Sequence, residues 1–218
     1  MKELIKKKLQ GFKNYAIVKS PQLRNFALTV ICTFALFAML TTVSAMREQN
    51  QIASNVLRFH ILANSNSTDD QALKLKVRDD VLTYVNTLTN SNFNLQQTKE
   101  VIGAHLNDIA QIAEQSVKNN GYNYKVIAKL GEFNLPTKQY GDIVLPPGEY
   151  AALRLEIGEA NGHNWWCVMY PNICVSATNA TLPIESKQLL QQNLTPQEYR
   201  LINGESPLKS RILEFLYR

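Results

Sequence analysis

The sequence predicts an α+β domain that follows an N-terminal transmembrane or signal helix. Two periodicities support this prediction. Apolar side chains recur three and four residues apart over two stretches between residues 68 and 118, a spacing typical of core-facing helices. Before and after these stretches, apolar and polar side chains alternate, as they do in half-buried strands. The predicted order is β-α-α-β-β-β, with two consecutive helices packed on a mainly antiparallel sheet.

Positive charge is concentrated at the N-terminus of this 218-residue chain. The net charge is +5, but residues 1–24 carry seven Lys or Arg side chains and one acid, so the remainder is close to neutral. A near-neutral domain lacks the basic surface that binding to a phosphate backbone requires. We therefore expect no nucleic-acid partner, and we interpret residues 1–24 as a basic cytoplasmic region that precedes a membrane segment.

Residues 25–45 have the composition of a signal-peptide core or a membrane anchor. Phe26 to Ala45 contains no charged residue and is long enough to cross a hydrocarbon core about 30 Å thick as a helix. The segment ends in small residues of the kind that signal peptidases recognise, so cleavage after Ala45 and retention as an anchor both stay open. Either outcome places the following chain outside the cytoplasm, where polar residues 46–55 are expected to form a spacer.

The exported domain is predicted to occupy residues 56–175 and to begin with a strand. Val56–Leu62 alternates between apolar and polar side chains, and His60 lies on the polar side. Two helices follow, at Thr68–Leu88 and Leu95–Lys118. Alternation then returns at Tyr122–Leu130, at Glu149–Ile157 and within a motif at residues 162–174. Residues 176–218 are expected to form a polar linker and a C-terminal helical tail.

The motif at residues 162–174, GHNWWCVMYPNIC, contains both tryptophans and two of the three cysteines. On a strand, Trp166 faces the side opposite to Trp165 and Cys167. One tryptophan is therefore expected to pack inward, while the other is a candidate recognition residue. Pro171 ends the strand, which allows the chain to bring Cys174 back towards Cys167.

Three interpretations of these cysteines remain open from the residues alone: a disulfide, a metal site that includes His163, or a thiol nucleophile. An exported position favours a disulfide between Cys167 and Cys174, which would stabilise the domain by about 2.5 kcal/mol. A zinc site would lack its fourth ligand, and a nucleophilic thiol would have to stay reduced. The chain has no phosphate-binding loop, serine-type motif or HExxH motif, so we predict no enzyme activity, metal or cofactor.

Two long strings carry a resemblance to a known family. They are LRFHILANSNSTDDQALKLKVRDDVL at residues 57–82 and LPTKQYGDIVLPPGEYAALRLEIGEANGHNWWCVMYPNIC at residues 135–174. With the exported topology, they resemble the stage II sporulation protein R family of endospore-forming bacteria. The resemblance implies a forespore signal, exported into the space between the forespore and mother-cell membranes. There it would activate a membrane-embedded aspartic protease that processes a mother-cell sigma factor precursor, without catalytic activity of its own.

We therefore expect a non-enzymatic signalling protein whose partner is that protease. The candidate partner-binding residues come from the aromatic motif and from the turn after the first strand: Trp165, Trp166, His163, Asn64, Ser65, Asp70 and Gln71. One alternative is an exported cell-envelope hydrolase that uses Cys167 with His163 or His60. A second alternative is a structural envelope protein that remains anchored to the membrane through residues 25–45.

Overall fold

A computed structural model of the protein describes residues 21–90, 92–171, 174, 182–205, 212 and 215–216. The predicted basic region lies mostly outside these residues, as do residues 176–181 of the expected linker and most of the expected helical tail after residue 205. The chain divides into two compact units, Met1–Ser44 and Ala45–Arg218. The described part of the first unit is entirely helical, and its helix contains an 18-residue window with a mean hydropathy of 2.2. By length and composition this helix could cross a membrane.

Residues 46–55 are not the spacer that we expected, because the first helix, α1 (Pro21–Ser54), continues through most of them. Within the second unit, Ala45, Gln49, Ile52 and Ala53 of this helix are buried. Their separation of three or four residues places them on one side of the helix, which contacts the core of the domain. The polar composition of the segment concealed this narrow buried stripe.

The remaining elements give the predicted α+β class, with more strands and helices than predicted. The strands are β1 (Leu57–Leu62), β2 (Val126–Leu135), β3 (Lys138–Tyr140), β4 (Ile143–Leu145), β5 (Gly148–Ile157) and β6 (Asn164–Tyr170). The helices are α2 (Thr68–Leu88), α3 (Leu95–Ala104), α4 (Leu106–Asn119), α5 (Ile184–Asn193) and α6 (Pro196–Ile202).

The second predicted helix is divided at His105. Residue 105 ends α3 and precedes α4 with backbone angles of φ −106° and ψ 17°, which differ from those of a helix. Its Nδ1 atom lies 2.8 Å from a carboxylate oxygen of Asp108. The apolar spacing predicted one helix because it continues across this break.

Four strands form one mixed sheet in the order β2-β5-β1-β6. β1 pairs parallel with β5 and antiparallel with β6, while β2 pairs antiparallel with β5. Two of the three pairings are therefore antiparallel. The short strands β3 and β4 form a separate antiparallel hairpin, which the sequence did not predict.

Both faces of the four-stranded sheet carry a buried core. One face, which we call the helical face, packs against α2, α3 and α4. Its buried side chains include Leu57, Phe59, Ile61, Leu73, Val77, Ile102, Ile109, Val117, Leu153, Leu155 and Cys167. The opposite face packs against the end of α1, the β3–β4 hairpin, α5 and α6. Its buried side chains include Ile52, Tyr140, Ile143, Leu145, Tyr150, Ala152, Val168, Leu190 and Ile202.

The loop after β1 and the turn before β6 are hydrogen-bonded to each other. The backbone N–H of Gly162 donates to the carbonyl of Ala63 at 2.9 Å, and that of Asn161 donates to the carbonyl of Asn64 at 3.2 Å. The N–H of His163 donates to the side-chain oxygen of Asn66 at 2.7 Å. These three hydrogen bonds join the loop before α2 to the β5–β6 turn. They bring the polar turn after β1 next to the aromatic motif, the two regions from which the candidate binding residues were taken.

Gly162 permits this close approach, because a Cβ atom at this position would lie 2.2 Å from the backbone oxygen of Ser65. A backbone atom cannot move aside as easily as the end of a flexible side chain. We expect Gly162→Ala to lower the free energy of unfolding by about 1–3 kcal/mol, the usual cost of overpacking. Urea denaturation monitored by tryptophan fluorescence measures this change.

Gly103→Ala is the matched control, because a Cβ atom there would meet its nearest neighbour at an ordinary 3.5 Å. It also replaces glycine with a better helix former. A Gly162→Ala protein as stable as the Gly103→Ala protein would contradict the close packing of the two loops.

Candidate functional site

The polar residues predicted from the turn after β1 form a network around Asp70. The carboxylate of Asp70 accepts hydrogen bonds from Ser65 Oγ at 2.6 Å and from Asn64 Nδ2 at 2.9 Å. Its backbone N–H donates to Ser67 Oγ at 3.1 Å, which caps the beginning of α2. The hydrogen bond from Ser65 is the largest of the contributions that hold the pKa of Asp70 below its ordinary value.

Gln71 and His163 belong to the same network through Lys74. Gln71 Nε2 donates to the carbonyl of Ser65 at 2.9 Å, and its Oε1 accepts from Lys74 Nζ at 2.6 Å. Lys74 Nζ also donates to the carbonyl of His163 at 2.8 Å. Burial of Lys74, with a smaller effect from Arg78, lowers the pKa of its ammonium group. These contacts give the network a structural role, while its contact with a partner stays a prediction.

The two tryptophans lie on opposite faces of the sheet, as the alternation in the motif predicted. Trp165 is half-buried on the helical face, where its ring meets the ring of Phe59 edge to face at 6.1 Å. The Arg78 guanidinium lies 4.8 Å from the Trp165 ring. Trp166 is half-buried on the opposite face. Neither tryptophan is therefore wholly inside or wholly outside the domain.

Trp166 stacks on His60, with ring centroids 4.6 Å apart and an angle of 6° between the planes. The Phe133 ring meets the His60 ring edge to face, with centroids 5.7 Å apart. His60 is only 3% exposed, and its ring nitrogens have no hydrogen-bond partner within the described part of the chain. Burial, followed by the charges of Arg154 and Arg58, lowers the pKa of His60 to about 3. The imidazole is therefore neutral and a very weak base, which argues against the proposed role as a general base.

Arg58 is fully buried beside this histidine, although the sequence pattern placed it on a polar strand face. Its guanidinium lies 4.9 Å from the Tyr150 ring and 5.3 Å from the Trp166 ring. It donates to the carbonyl of Pro136 and the hydroxyl of Tyr140, both at 3.4 Å. The buried positive charge of Arg58 is therefore stabilised largely by contacts with aromatic rings. Sequence reasoning missed this residue because the elements that cover it are distant along the chain.

The same face of the sheet becomes accessible beyond His60. We call this region the open sheet face and define it by Ile127, Phe133, Lys138, Arg154 and Trp166. Lys138 Nζ lies 5.3 Å from the Trp166 ring, and the Arg154 guanidinium lies 5.5 Å from the Phe133 ring. Ile127 is 51% exposed. The surface thus combines accessible aromatic rings and cations, a combination that is common in protein interfaces.

Cys167 and Cys174 form a disulfide in the structure, as the sequence predicted. Cys167 is fully buried on the helical face. A sulfur atom in a disulfide is not available as a thiolate nucleophile or a metal ligand. Across the described ranges, no group of three or more His, Cys, Asp and Glu side chains is placed to hold a metal ion. These findings weigh against the hydrolase that would use Cys167.

Thiol titration tests the disulfide. Unfolded, unreduced protein from an oxidising compartment should expose one reactive thiol per chain, that of Cys32, the free cysteine in α1. A Cys167→Ser/Cys174→Ser protein should lose about 2.5 kcal/mol of unfolding free energy because its unfolded chain is less constrained. Three reactive thiols in the unreduced protein would contradict the disulfide.

His60 should make the stability of the domain depend on pH. Its pKa is about 3 in the folded protein and about 6.5 when unfolded, so between these values the unfolded chain binds more protons. The contribution of neutral His60 to the free energy of unfolding is therefore complete above the pKa of His60 in the unfolded chain. This contribution is lost as the pH falls towards 3. Relative to His60→Phe, the unfolding free energy of the native protein should fall by about 1.4 kcal/mol per pH unit in this window.

Urea denaturation of both proteins between pH 4 and pH 7 measures that difference. His60→Phe keeps an aromatic ring against Trp166 but removes the titrating group, and the acidic side chains are the same in the two proteins. Parallel pH profiles would show that His60 accepts a proton in the folded domain as readily as in the unfolded chain.

Comparison with known proteins identifies the family of this chain. Residues 53–180 match the family model described as stage II sporulation protein R, and this range includes the polar network, Arg58, His60 and both tryptophans. The chain is also 34% identical over 143 residues to stage II sporulation protein R of Bacillus subtilis (strain 168). That alignment spans 64% of this chain and 64% of the relative. No solved structure gives a significant match.

The family match extends over more than half of the 218 residues and includes every strand of the four-stranded sheet. It also agrees with the two strings on which the resemblance was based. Membership implies a role in sporulation. The chain belongs to the stage II sporulation protein R family.

Proposed function

We propose that this protein is an exported, non-enzymatic signal that activates a membrane-embedded aspartic protease during sporulation. The protease would in turn process the precursor of a mother-cell sigma factor. Family membership supports the sporulation role, and the apolar part of α1 is suited to a signal sequence or an anchor. A signalling role also fits the site, because its buried histidine is a very weak base and its cysteine pair is joined.

The proposed place of action is the space between the forespore and mother-cell membranes. The basic residues before α1 would remain on the cytoplasmic side, while the sheet and its helices would be exported. A disulfide between Cys167 and Cys174 is compatible with such a compartment. In that position the domain can meet the exported part of a receptor embedded in the facing membrane.

We place the receptor contact on the open sheet face, and the environment of Trp166 is the observation that carries this proposal. Its ring is half-buried and in part accessible, and stacking on His60 and the neighbouring Arg58 hold it in a defined position. A preorganised aromatic side chain loses little conformational entropy on binding. Lys138 adds a charge beside the ring that can pair with an acidic group of the receptor.

Activation also requires a difference in binding. A ligand shifts a protease towards its active state only when it binds that state more tightly than the inactive one. A tenfold preference corresponds to about 1.4 kcal/mol. The loss of one central aromatic contact at an interface commonly costs about 2 kcal/mol or more. A single substitution at Trp166 is therefore sufficient to abolish much of the signal.

Reconstitution of the pathway in a host without sporulation genes tests this proposal. The chain, the protease and the sigma factor precursor are produced together, and processing of the precursor is followed by immunoblot. Trp166→Ala and Lys138→Glu should each reduce processing at least about tenfold. Lys118→Glu is the matched control, because Lys118 is exposed on α4, on the helical side of the sheet. It should leave processing unchanged.

Trp165→Phe separates the two faces of the sheet. It keeps an aromatic ring against Phe59, so the domain should fold and activate normally. Export and thermal unfolding of each variant are measured in parallel, which distinguishes a lost contact from a lost fold. Full processing by folded Trp166→Ala and Lys138→Glu proteins would refute the assignment to the open sheet face. Loss of processing in Trp165→Phe alone would move the contact to the helical face.

A further inference from the structure

A cleft on the domain is not explained by the proposed signalling role. It has a volume of about 630 Å³ and lies between the end of α2, the beginning of α3, the end of β6 and α5. This volume is within the range of small-molecule sites in proteins, about 300–1,000 Å³. The cleft is separate from the open sheet face, since the residues that line it include none of the five that define that surface.

Carboxamide side chains dominate the lining of the cleft, and none of the described residues that line it is charged. The carboxamides are Asn86, Asn90, Asn92, Asn94, Gln192 and Asn193. The aromatic rings of Phe93 and Tyr170 also line the cleft. A site with this lining offers no charge to compensate an ion for its lost hydration, so an uncharged ligand fits it better than an ionic one.

Some of these carboxamides are engaged within the protein and others are available. Asn193 Oδ1 accepts from the Tyr170 hydroxyl at 2.8 Å, which fixes one wall of the cleft. Asn94 Oδ1 accepts from the backbone N–H of Gln97 at 2.9 Å and caps α3. Within the described ranges, the side chains of Asn86 and Gln192 have no such hydrogen bond. Asn86 is exposed at the end of α2 and Gln192 is exposed on α5.

We propose that this cleft binds an uncharged sugar of the N-acetylated hexosamine class. Each free carboxamide presents a donor and an acceptor side by side, which matches the neighbouring hydroxyl groups of a pyranose ring. Phe93 and Tyr170 supply apolar surface for the C–H groups on the face of the sugar, and a free carboxamide can pair with the N–H and the C=O of an acetamido group. The ligand class follows from the lining alone and does not depend on activation of a protease.

Titration of the full-length chain in lipid nanodiscs with tri-N-acetylchitotriose tests the proposal. Ligand-observed NMR should show saturable binding to the native chain. Asn86→Ala combined with Gln192→Ala should weaken this binding about tenfold, because each substitution removes hydrogen bonds to the sugar. Both side chains are exposed, so the domain should remain folded. Asn134→Ala, an exposed carboxamide on β2 outside the cleft, is the matched control and should bind as the native chain does.

Three results would overturn the proposal. The first is the absence of saturable binding up to the solubility limit of the sugar. The second is equal binding by the native chain and the Asn86→Ala/Gln192→Ala variant, which would place the sugar elsewhere on the protein or on the nanodisc. The third is tighter binding of an uncharged peptide, acetyl-trialanine amide, which would identify the cleft as a peptide site. Empty nanodiscs provide the baseline for all three measurements.

Discussion

Burial of β1 on both of its faces is the constraint on which the rest of the structure depends. β1 lies between β5 and β6, and its side chains alternate between the two cores. Leu57, Phe59 and Ile61 need only apolar neighbours, which the helical face supplies. Arg58 and His60 impose a stronger demand, since a polar group without compensating contacts is costly to bury. The rings of Tyr150 and Trp166 and the hydroxyl of Tyr140 surround the Arg58 guanidinium. His60 is covered by stacking on Trp166, while its ring nitrogens have no hydrogen-bond partner within the described part of the chain.

The edge strand β6 is held by three kinds of contact, of which only the disulfide is local in sequence. Its pairing with β1 fixes the register that places Trp165 and Trp166 on opposite faces. The disulfide restrains the chain after the strand, and the hydrogen bonds of Gly162 and His163 restrain the turn before it. A rigid edge strand can present a tryptophan without the entropic cost of ordering it on binding. The same residues therefore serve the stability of the domain and the proposed recognition.

Local periodicity was sufficient to predict the α+β class and the opposed tryptophans, because both depend on neighbours along the chain. The cysteine pair was predicted from the expected export of the domain. The burial of Arg58 and His60 could not be predicted in this way, because the β3–β4 hairpin, α5 and α6 cover that face from later parts of the chain. The break at His105 was hidden for a related reason, since apolar side chains on both sides of it contact one core. The polar turn residues were predicted as candidate binding residues. Their contacts with residues 158–163 could not be predicted, because those residues lie far away along the chain.

The continuity of α1 has a consequence for the order of events during maturation. Ala45, the residue after which a signal peptidase would cut, is helical and fully buried in the second unit. A peptidase binds its substrate in an extended form, so a cut at this position has to precede the folding of the domain. Residues 46–54 would then become the new N-terminus and would still carry Gln49 and Ile52 into the core. Under the proposed function, cleavage after Ala45 and folding of the domain would therefore compete, and their relative rates would decide whether the domain diffuses or stays attached to the membrane.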